Sequence, residues 1–455
     1  MKRPNMARSV VEGLFWPAFT SPHSSHLLSL AHQMELSQWW SADTLRTFQL
    51  FQLEKLLNYA DRNIPYWNSR FATIPELAEA TALTDELWQR LPVLTRDQVQ
   101  LAGAALRSPR LPSGHGDLFT ARTSGSTGRP LTSWHTRASI QITQALRLRH
   151  YVAHRLPFSS KLADIRAVDI RPKSGWVPGD ASGSGWVPGY PSGPFVQLDV
   201  RRPAAEQLDW LATEAPDLLL THPSNLEILL EHSARTGQTI PGLKTVTTFG
   251  EVLLPRVRQA CRQIWATSVV DVYSAVEVSI LAAQCPEHEH YHVQSEGVLV
   301  EVVDEEGRRC GPGGVGRVVV TPLHNFAMPL IRYEIGDYAE VGDPCPCGRG
   351  LPVLRRILGR PRNMLLMPTG ERVWPVHPDG LAEIGKIRQF RLVQVSVAEI
   401  RVDLALYEPL TQDEEEQVRS MIEHSLSPHF QVSLSVVDEV ASSQAGKRED
   451  FVSEL

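Results

Sequence analysis

Cysteine, long apolar runs and an excess of one charge are all scarce in this 455-residue sequence. The five cysteines are an odd number spread over a large chain: Cys261, Cys285, Cys310, Cys345 and Cys347. Cysteines this sparse argue against a disulfide framework and favour reduced thiols in a cytoplasm. We therefore expect a cytoplasmic protein whose stability comes from packed cores.

Charge and hydropathy exclude two further classes of protein. The chain has 45 basic and 51 acidic residues, a net charge of −6, which does not suit a nucleic-acid or membrane-surface binder. Its first apolar run is short and is broken by Glu12 and Pro17, so we expect an irregular arm rather than a signal peptide. No segment has the length and apolarity of a transmembrane helix.

The middle of the chain alternates strand and helix patterns. Residues 217–234 ("DLLLTHPSNLEILLEHSA") and 243–265 each read as a strand followed by a helix, and 268–283 ("SVVDVYSAVEVSILAA") as a third such pair. This rhythm predicts an α/β fold with a largely parallel, helix-covered sheet. Residues 297–310 and 314–323 read as antiparallel hairpin strands, which makes the sheet mixed.

A domain boundary is expected near Leu358–Pro375. Beyond it the patterns "RLVQVSV" and "EIRVDLALY" indicate two strands, "TQDEEEQVRSMIEHSL" a helix and "VSLSVV" a third strand. About 90 residues suffice for a small α+β domain. The sequence therefore predicts a large N-terminal α/β domain and a small C-terminal α+β domain.

The stretch "TSGSTG", Thr123–Gly128, is short of side chains and rich in hydrogen-bond donors. Gly125 and Gly128 lack a Cβ and let the backbone approach an anion, while hydroxyl and N–H groups donate to it. The G-x-x-x-x-G-K-S/T spacing of a P-loop is absent. Taken alone, such a stretch is as well explained by a turn or linker.

One hexapeptide, "SGWVPG", occurs twice, at Ser174–Gly179 and Ser184–Gly189. Its glycine and proline content excludes a helix or a central strand, so both copies are expected in a long loop. The simpler interpretation is a surface insertion. The alternative is a lid that carries Trp176 and Trp186 to a substrate.

Further motifs along the chain decide how the stretch Thr123–Gly128 is interpreted. "TSGSTGRP" resembles the phosphate-binding signature of adenylate-forming enzymes, the superfamily of acyl-CoA synthetases, adenylation domains and luciferases. Further motifs follow in the superfamily's order: "FGEVL" (249–253), "DVYSAVE" (271–277), "IRYEIGDYAEV" (331–341), "LGRPRNMLLM" (358–367) and "GKRED" (446–450). The flanking "LPVLTRDQV" and "CPCGRGLPVLRRILGR" are similar to the phenylacetate–CoA ligase branch. We identify the chain as resembling that family.

The resemblance implies a two-step reaction. A carboxylic acid, of an aryl or arylacetic kind, reacts with ATP in the presence of Mg²⁺ to form an acyl-adenylate, and the thiol of CoA then displaces AMP. Residues 1–358 would form the large domain, 359–363 a hinge and 364–455 the small mobile domain. The acceptor could instead be an amine or a carrier-protein phosphopantetheine thiol, and a retired nucleotide-binding member of the family is a further alternative. A homodimer is also left open.

The same resemblance assigns nucleotide contacts to matching positions. The residues so assigned are Thr123, Ser124, Gly125, Ser126, Thr127, Gly128, Gly250, Glu251, Tyr273, Ser274, Asp337 and Arg360. Tyr273 would stack on adenine and Asp337 would accept hydrogen bonds from both ribose hydroxyls. Glu277 would bind Mg²⁺ through a carboxylate oxygen.

Thr127, Glu277 and Lys447 are the implied catalytic residues. Lys447 would bridge the substrate carboxylate and the α-phosphate, although a lysine near a C-terminus is by itself more typical of a solvated tail. Three positions depart from the family pattern: Arg129 stands in place of lysine, Ser274 in place of glycine, and Arg362–Asn363 in place of two acidic residues at the hinge.

A second metal site is suggested by cysteine and histidine spacing. "CPEHEHYH" from Cys285 and "CPCG" with Cys345 and Cys347 offer three thiolates and an imidazole, a closed tetrahedral set for structural Zn²⁺. His288, His290 or His292 could complete it, and the spacing favours His288. Two unconnected loops with free thiols are the alternative.

Overall fold

The computed structural model describes most of the chain. The described residues are 9–14, 18–79, 82–123, 130–167, 185–187, 190, 192–360, 364–370, 372–373, 381, 384–426, 429–440 and 451–455. Their α-helices are Pro22–Ser37 (α1), Ala42–Asn63 (α2), Pro65–Phe71 (α3), Pro75–Glu79 (α4), Asp85–Arg90 (α5), Arg96–Ala102 (α6), Arg137–Ala153 (α7), Ala204–Glu214 (α8), Pro223–Thr236 (α9), Pro255–Ile264 (α10) and Gln412–Leu426 (α11). A short 3₁₀ helix spans Gly103–Leu106.

The strands are Leu118–Arg122 (β1), Thr132–Thr136 (β2), Leu162–Arg166 (β3), Phe195–Asp199 (β4), Leu218–Thr221 (β5), Thr245–Phe249 (β6), Ser268–Ala275 (β7), Ser279–Gln284 (β8), Tyr291–Val293 (β9), Val298–Val303 (β10), Val315–Pro322 (β11), Tyr333–Val341 (β12), Val353–Gly359 (β13), Leu365–Leu366 (β14), Arg372–Val373 (β15), Ile387–Ser396 (β16), Glu399–Leu406 (β17), Gln431–Val436 (β18) and Phe451–Ser453 (β19).

Eleven strands form one mixed sheet in the order β10-β11-β12-β13-β9-β8-β7-β6-β5-β3-β4. Strands β4, β3, β5, β6 and β7 pair in parallel, and the pairs from β7 to β10 are antiparallel. The predicted hairpin of β10 and β11 is present. The α/β class with a mixed, helix-covered sheet is confirmed.

Helix α9 shows why the parallel half folds as the pattern predicts. Pro223 occupies its first turn and Gly237, at φ 72°, ends it. Its buried residues Leu226, Leu229 and Leu230 recur at helical spacing and pack in one core with β5 and β6. Burial of each such leucine contributes about 1.5–3 kcal/mol to folding.

The third predicted strand–helix pair is wrong. Residues 268–283 form the antiparallel hairpin β7–β8, with Ala275 opposite Ser279. The segment Ser279–Ala283 is buried on every side chain, so it has no polar face for a helix to present to solvent. A strand covered on both faces has this continuous apolar pattern. The direction of the sheet therefore changes at β7.

The small unit, as we call the part from β14 to β19 with α11, has its own core. Its four-stranded sheet has the order β18-β17-β16-β19, and α11 packs on it through Val418 and Ile422. The two central strands are antiparallel and each outer strand is parallel to its neighbour. The predicted two strands, helix and third strand are all found. The proposed hinge lies between β13 and β14, with 361–363 outside the described residues, so the domain limits remain a prediction.

The second copy of the repeated hexapeptide contributes to the core. Trp186 is 1% exposed, and its Nε1 donates to the backbone oxygen of Ser160 at 2.8 Å. Its ring contacts Tyr151 and Phe158 edge-on. Trp186 therefore does not act as an exposed lid residue, and Trp176 lies outside the described residues. None of the helices in the described ranges is long and apolar enough to cross a membrane.

Candidate active site

The carboxyl ends of β6 and β7 bring two of the predicted motifs together. Phe249 pairs with Val272, so the next residues, Gly250 and Tyr273, are neighbours at the same edge of the sheet. Gly250 has φ 78°, a conformation that glycine adopts without a Cβ penalty. The carboxyl edge of parallel strands is where open α/β sheets bind ligands. Ser274 follows Tyr273 and is half-buried.

Asp337 lies between two of the predicted nucleotide contacts. The Tyr273 hydroxyl donates to its Oδ2 at 2.8 Å, and Arg360 Nε lies 3.1 Å from its Oδ1. Tyr338 pairs with Gly359, which places Asp337 and Arg360 on adjacent strands. Gly336 has φ 88°, and a Cβ there would lie 3.6 Å from the Arg360 guanidinium. The site thus combines one carboxylate, one phenol and one guanidinium.

Glu277 sits at the tip of the β7–β8 hairpin and is only 4% exposed. Its Oε1 accepts a hydrogen bond from the Tyr333 hydroxyl at 3.3 Å and lies 3.6 Å from Arg96 Nη1. A buried carboxylate needs such partners, because desolvating an isolated charge is costly. Glu277 therefore faces into the same site from the antiparallel half of the sheet.

Arg96 and Tyr333 are site residues that the sequence alone did not reveal. Leu94 forms a parallel bridge with Tyr333, and its N–H donates to the Arg332 oxygen at 2.8 Å. Thr95 then caps α6 in a capping box. This pairing places the first residue of α6, Arg96, beside Glu277. The only sequence signal was the family-like "LPVLTRDQV", which specifies no contact.

Strands β1 and β2 on either side of the hydroxyl-rich stretch form a hairpin. Strands β1 and β2 are antiparallel, with Arg122 opposite Thr132. Thr123 extends this ladder: its N–H donates to the Leu131 oxygen and its Oγ1 accepts from the Leu131 N–H, both at 2.9 Å. Arg96 Nη2 donates to the same Oγ1 at 3.3 Å. Ser124, Gly125, Ser126, Thr127, Gly128 and Arg129 lie outside the described residues.

Glu251 has a role that its motif did not predict. Its Oε2 accepts a hydrogen bond from the Ser224 N–H in the first turn of α9 at 2.9 Å. A carboxylate at a helix N-terminus satisfies an unpaired N–H and interacts favourably with the helix dipole. This contact holds α9 against the turn after β6. Lys447, Arg362 and Asn363 lie outside the described residues.

Two tyrosine hydroxyls in the site are held in the protonated state. The pKa of Tyr273 lies well above its usual range because the phenol is buried and is next to the Asp337 carboxylate. Burial and the neighbouring Glu277 likewise raise the pKa of Tyr333. Both groups are therefore hydrogen-bond donors at physiological pH.

The cysteine–histidine cluster forms on the antiparallel half of the sheet. Ligand atoms of Cys285, His292, Cys345 and Cys347 all lie within 4.8 Å of one another. The Cys285 and Cys345 Sγ atoms are 3.8 Å apart, and Cys347 Sγ lies 3.5 Å from His292 Nε2. Tetrahedral zinc places neighbouring sulfur and nitrogen ligands about 3.5–3.8 Å apart, so these residues fit the ion.

The histidine of this cluster differs from the one that spacing favoured. His292 is buried within strand β9 and belongs to the group, whereas His288 lies outside it. His290 Nε2 is also 3.0 Å from Cys345 Sγ. Spacing along the chain favoured His288, but His288 lies in the bend before β9, whereas the pairing of His292 with Ala283 of β8 and Val353 of β13 holds it beside the cysteines.

Comparison with known proteins bears on this geometry. The family model for AMP-binding enzymes matches residues 193–327, which run from just before β4 to a few residues beyond β11. This part of the chain therefore resembles AMP-binding enzymes. The resemblance to adenylate-forming enzymes is therefore confirmed.

Curated relatives of this chain include the phenylacetate-coenzyme A ligase of Thermus thermophilus. It is 27% identical over 173 residues, which are 36% of this chain and 39% of that protein. The match thus spans about two fifths of the length of the relative.

Solved structures match over a longer range. The 2-hydroxyisobutyryl-CoA ligase in its postadenylation state has a TM-score of 0.73 at 20% identity and covers 89% of both chains. The same ligase in its thioesterification state has a TM-score of 0.58 at 20% identity, covering 90% of this chain and 89% of that one. At this identity the likeness establishes the fold.

Proposed function

We propose that the chain activates a carboxylic acid with ATP to an acyl-adenylate and then transfers the acyl group to CoA. In the first step a carboxylate oxygen bonds to the α-phosphorus and pyrophosphate leaves. In the second a thiolate attacks the acyl carbon and AMP leaves. The observation that carries this proposal is the Asp337 carboxylate, held between Tyr273 and Arg360 at the sheet edge of an AMP-binding domain.

Asp337 suits a ribose. An ionised carboxylate offers about four acceptor positions, of which the Tyr273 hydroxyl and the Arg360 guanidinium use two. The remaining lone pairs can accept from two adjacent hydroxyl groups. Tyr273 is itself 9% exposed, and stacking on adenine would use a face of its ring. Arg360 would then contact nucleotide oxygens beside the ribose.

Glu277 fits a hard divalent cation such as Mg²⁺, which binds carboxylate oxygens. The carboxylate is buried, and the Arg96 guanidinium lies 3.6 Å from it. A bound Mg²⁺ would neutralise charge on phosphate oxygens. The protein's own contribution is to hold the carboxylate rigidly through Tyr333.

The loop Thr123–Gly128 and Lys447 complete the proposal from the sequence. Thr123 anchors the loop on a hairpin beside Arg96, which supports a cradle for the β- and γ-phosphates, with Thr127 in the catalytic part. Lys447 would bridge the acid and the α-phosphate. Lys447→Ala should greatly slow adenylate formation and leave thiolysis of a supplied acyl-adenylate intact. Equal loss in both steps would contradict this role.

The cluster of Cys285, His292, Cys345 and Cys347 is proposed to hold structural Zn²⁺, since four protein ligands leave no open position. Elemental analysis of purified protein should find about one zinc per chain. Cys345→Ser should lose it, whereas Cys310→Ser, at a cysteine outside the cluster, should retain it. Less than about a tenth of an equivalent in the unmodified protein would refute the site.

One experiment tests both the class of carboxylic acid and the identity of the acyl acceptor. Phenylacetate-coenzyme A ligase is the name of the matching relative, which supports an aryl or arylacetic acid and CoA. Pyrophosphate release should be measured over aromatic, aliphatic and amino acids, with and without CoA. Acid-dependent release that yields an acyl-CoA supports the proposal. Transfer only to an amine or a carrier-protein thiol favours the alternative acceptor, and no release with any acid indicates a retired enzyme. A cytoplasmic location and a homodimer remain part of the proposal.

A further inference from the structure

Two arginines of the large part of the chain stack on aromatic rings of the small unit. The Arg256 guanidinium lies 5.8 Å from the ring centre of Phe390, and that of Arg235 lies 4.5 Å from the ring centre of Tyr407. Arg235 is near the end of α9 and Arg256 is in the first turn of α10. Phe390 is in β16 and Tyr407 directly follows β17. We call these the two arginine–ring contacts.

The spacing of the two contacts matches on both sides. Arg256 pairs with Glu227 at 2.9 Å, and Arg235 is eight residues after Glu227 on α9, about 12 Å along the helix. On the small unit, Phe390 pairs with Leu404, and Tyr407 lies three residues further, about 10 Å along the strand. The hairpin β16–β17 therefore lies along α9. A single contact would let the small unit rotate about it, whereas two separated contacts fix the orientation of the small unit relative to α9.

Each of the two arginines also contacts a residue of the large part of the chain, which orients its guanidinium. The Glu227 carboxylate orients Arg256, and Arg235 Nη2 lies 2.9 Å from His232 Nδ1. Phe390 is half-buried and packs on the core of the small unit, so its ring has little freedom to turn away. Pre-oriented partners lose less side-chain entropy when they associate. The contacts are thus suited to selecting one orientation of the small unit.

We propose that the two arginine–ring contacts are positioning contacts that hold the small unit in the orientation used for the first half-reaction. The inference rests on the proposed function, because it assumes two half-reactions. It is supported by the higher TM-score with the postadenylation state of the 2-hydroxyisobutyryl-CoA ligase than with its thioesterification state, 0.73 against 0.58. Those two structures are of the same protein, so the difference between the scores reflects how the parts are arranged.

The first test measures orientation without activity. Spin labels on noncanonical residues at Glu206 and Glu416, both exposed, report the distance between the two parts by pulsed dipolar spectroscopy. The unmodified chain should give one dominant distance. The double variant Arg235→Ala/Arg256→Ala should broaden it and reduce that population about five- to thirtyfold relative to the others, from two contacts of ordinary cation–π strength.

Arg262→Ala is the matched control for the distance measurement. Arg262 is on the same helix as Arg256, but it pairs with Glu289 of the large part at 3.0 Å. This variant should keep the distance of the unmodified chain. An unchanged distribution in the double variant, or equal broadening in the control, overturns the inference.

The second test separates the half-reactions. Acid-dependent exchange of pyrophosphate into ATP should fall in the double variant by the same factor as the population, while thiolysis of a supplied acyl-adenylate should not fall. Phe390→Tyr, which keeps a ring, should retain more exchange than Phe390→Leu. Equal loss in both half-reactions overturns the inference. If the unmodified chain shows no exchange with any acid, the proposed function fails and the link to a half-reaction fails with it, while the distance measurement separately decides whether the two arginine–ring contacts hold the small unit.

Discussion

Replacing the Asp337 carboxylate with an amide tests the nucleotide site most directly. In Asp337→Asn the side chain keeps its shape, and its carbonyl oxygen can still accept from the Tyr273 hydroxyl. In the unmodified protein that hydroxyl donates to Asp337 at 2.8 Å. The charge opposite Arg360, 3.1 Å away, is lost, and so is the capacity to accept from two hydroxyls. A hydrogen bond to a charged acceptor contributes about 1.5–3 kcal/mol, which is about a 10- to 100-fold change in affinity.

We expect Asp337→Asn to weaken binding of ATP and AMP by that factor, measured by titration calorimetry, with a change in unfolding free energy of less than about 1.5 kcal/mol. Asp343→Asn is the control, because Asp343 is an exposed carboxylate just beyond the same strand. Nucleotide affinity within about twofold of the unmodified protein would refute the ribose assignment. A loss that appears equally for adenosine and for 2′,3′-dideoxyadenosine would also refute it, since the second ligand has no ribose hydroxyls.

Three further predictions concern Glu277, Trp186 and His135. Glu277→Gln should retain the Tyr333 contact but reduce the affinity for Mn²⁺, used as a probe for Mg²⁺, at least about tenfold in the ATP complex by electron paramagnetic resonance; unchanged affinity would exclude a metal ligand. Trp186→Ala should lower the free energy of unfolding by about 3–5 kcal/mol in urea titrations, and a loss below about 1 kcal/mol would show that the ring is not a core residue. Burial lowers the pKa of His135 to about 4, so the histidine takes up a proton more readily in the unfolded chain than in the folded one. The free energy of unfolding should therefore fall by up to about 3 kcal/mol as the pH drops from 6.5 to 4. His135→Gln should flatten that pH dependence.

The parallel half of the sheet could be predicted from local pattern, because α9 carries apolar residues at i, i+3 and i+4 between a proline start and a glycine end. The fold of the segment 268–283 could not be predicted in this way. Its apolar run suits either a buried helix or a strand covered on both faces, and only the partner strands decide between the two. The small unit was anticipated in most strands, but β19 pairs in parallel with β16 across more than fifty residues of chain, a contact that no local pattern encodes.

The candidate site likewise combines residues that the sequence nominated with residues that only the structure revealed. The resemblance to the family's motifs was enough to nominate Tyr273, Glu277, Asp337 and Arg360, because each occupies a matching motif position. Arg96 was missed because a bridge between Leu94 and Tyr333 brings it to Glu277 from nearly two hundred residues away. Spacing favoured His288 for the metal cluster, whereas the pairing of β9 with β8 and β13 brings His292 to the cysteines.

By itself the sequence determined which segments are helices or strands wherever one face is polar, and which residue types could bind a nucleotide or a metal. Those properties depend on neighbours a few residues apart, within reach of one turn of helix or one pleat of strand. Only the tertiary structure decided the direction of the sheet at β7, the partners of Glu277 and the histidine of the cysteine cluster. Each of these depends on which distant strands pair and in what register, and a shift of one residue moves a side chain to the opposite face.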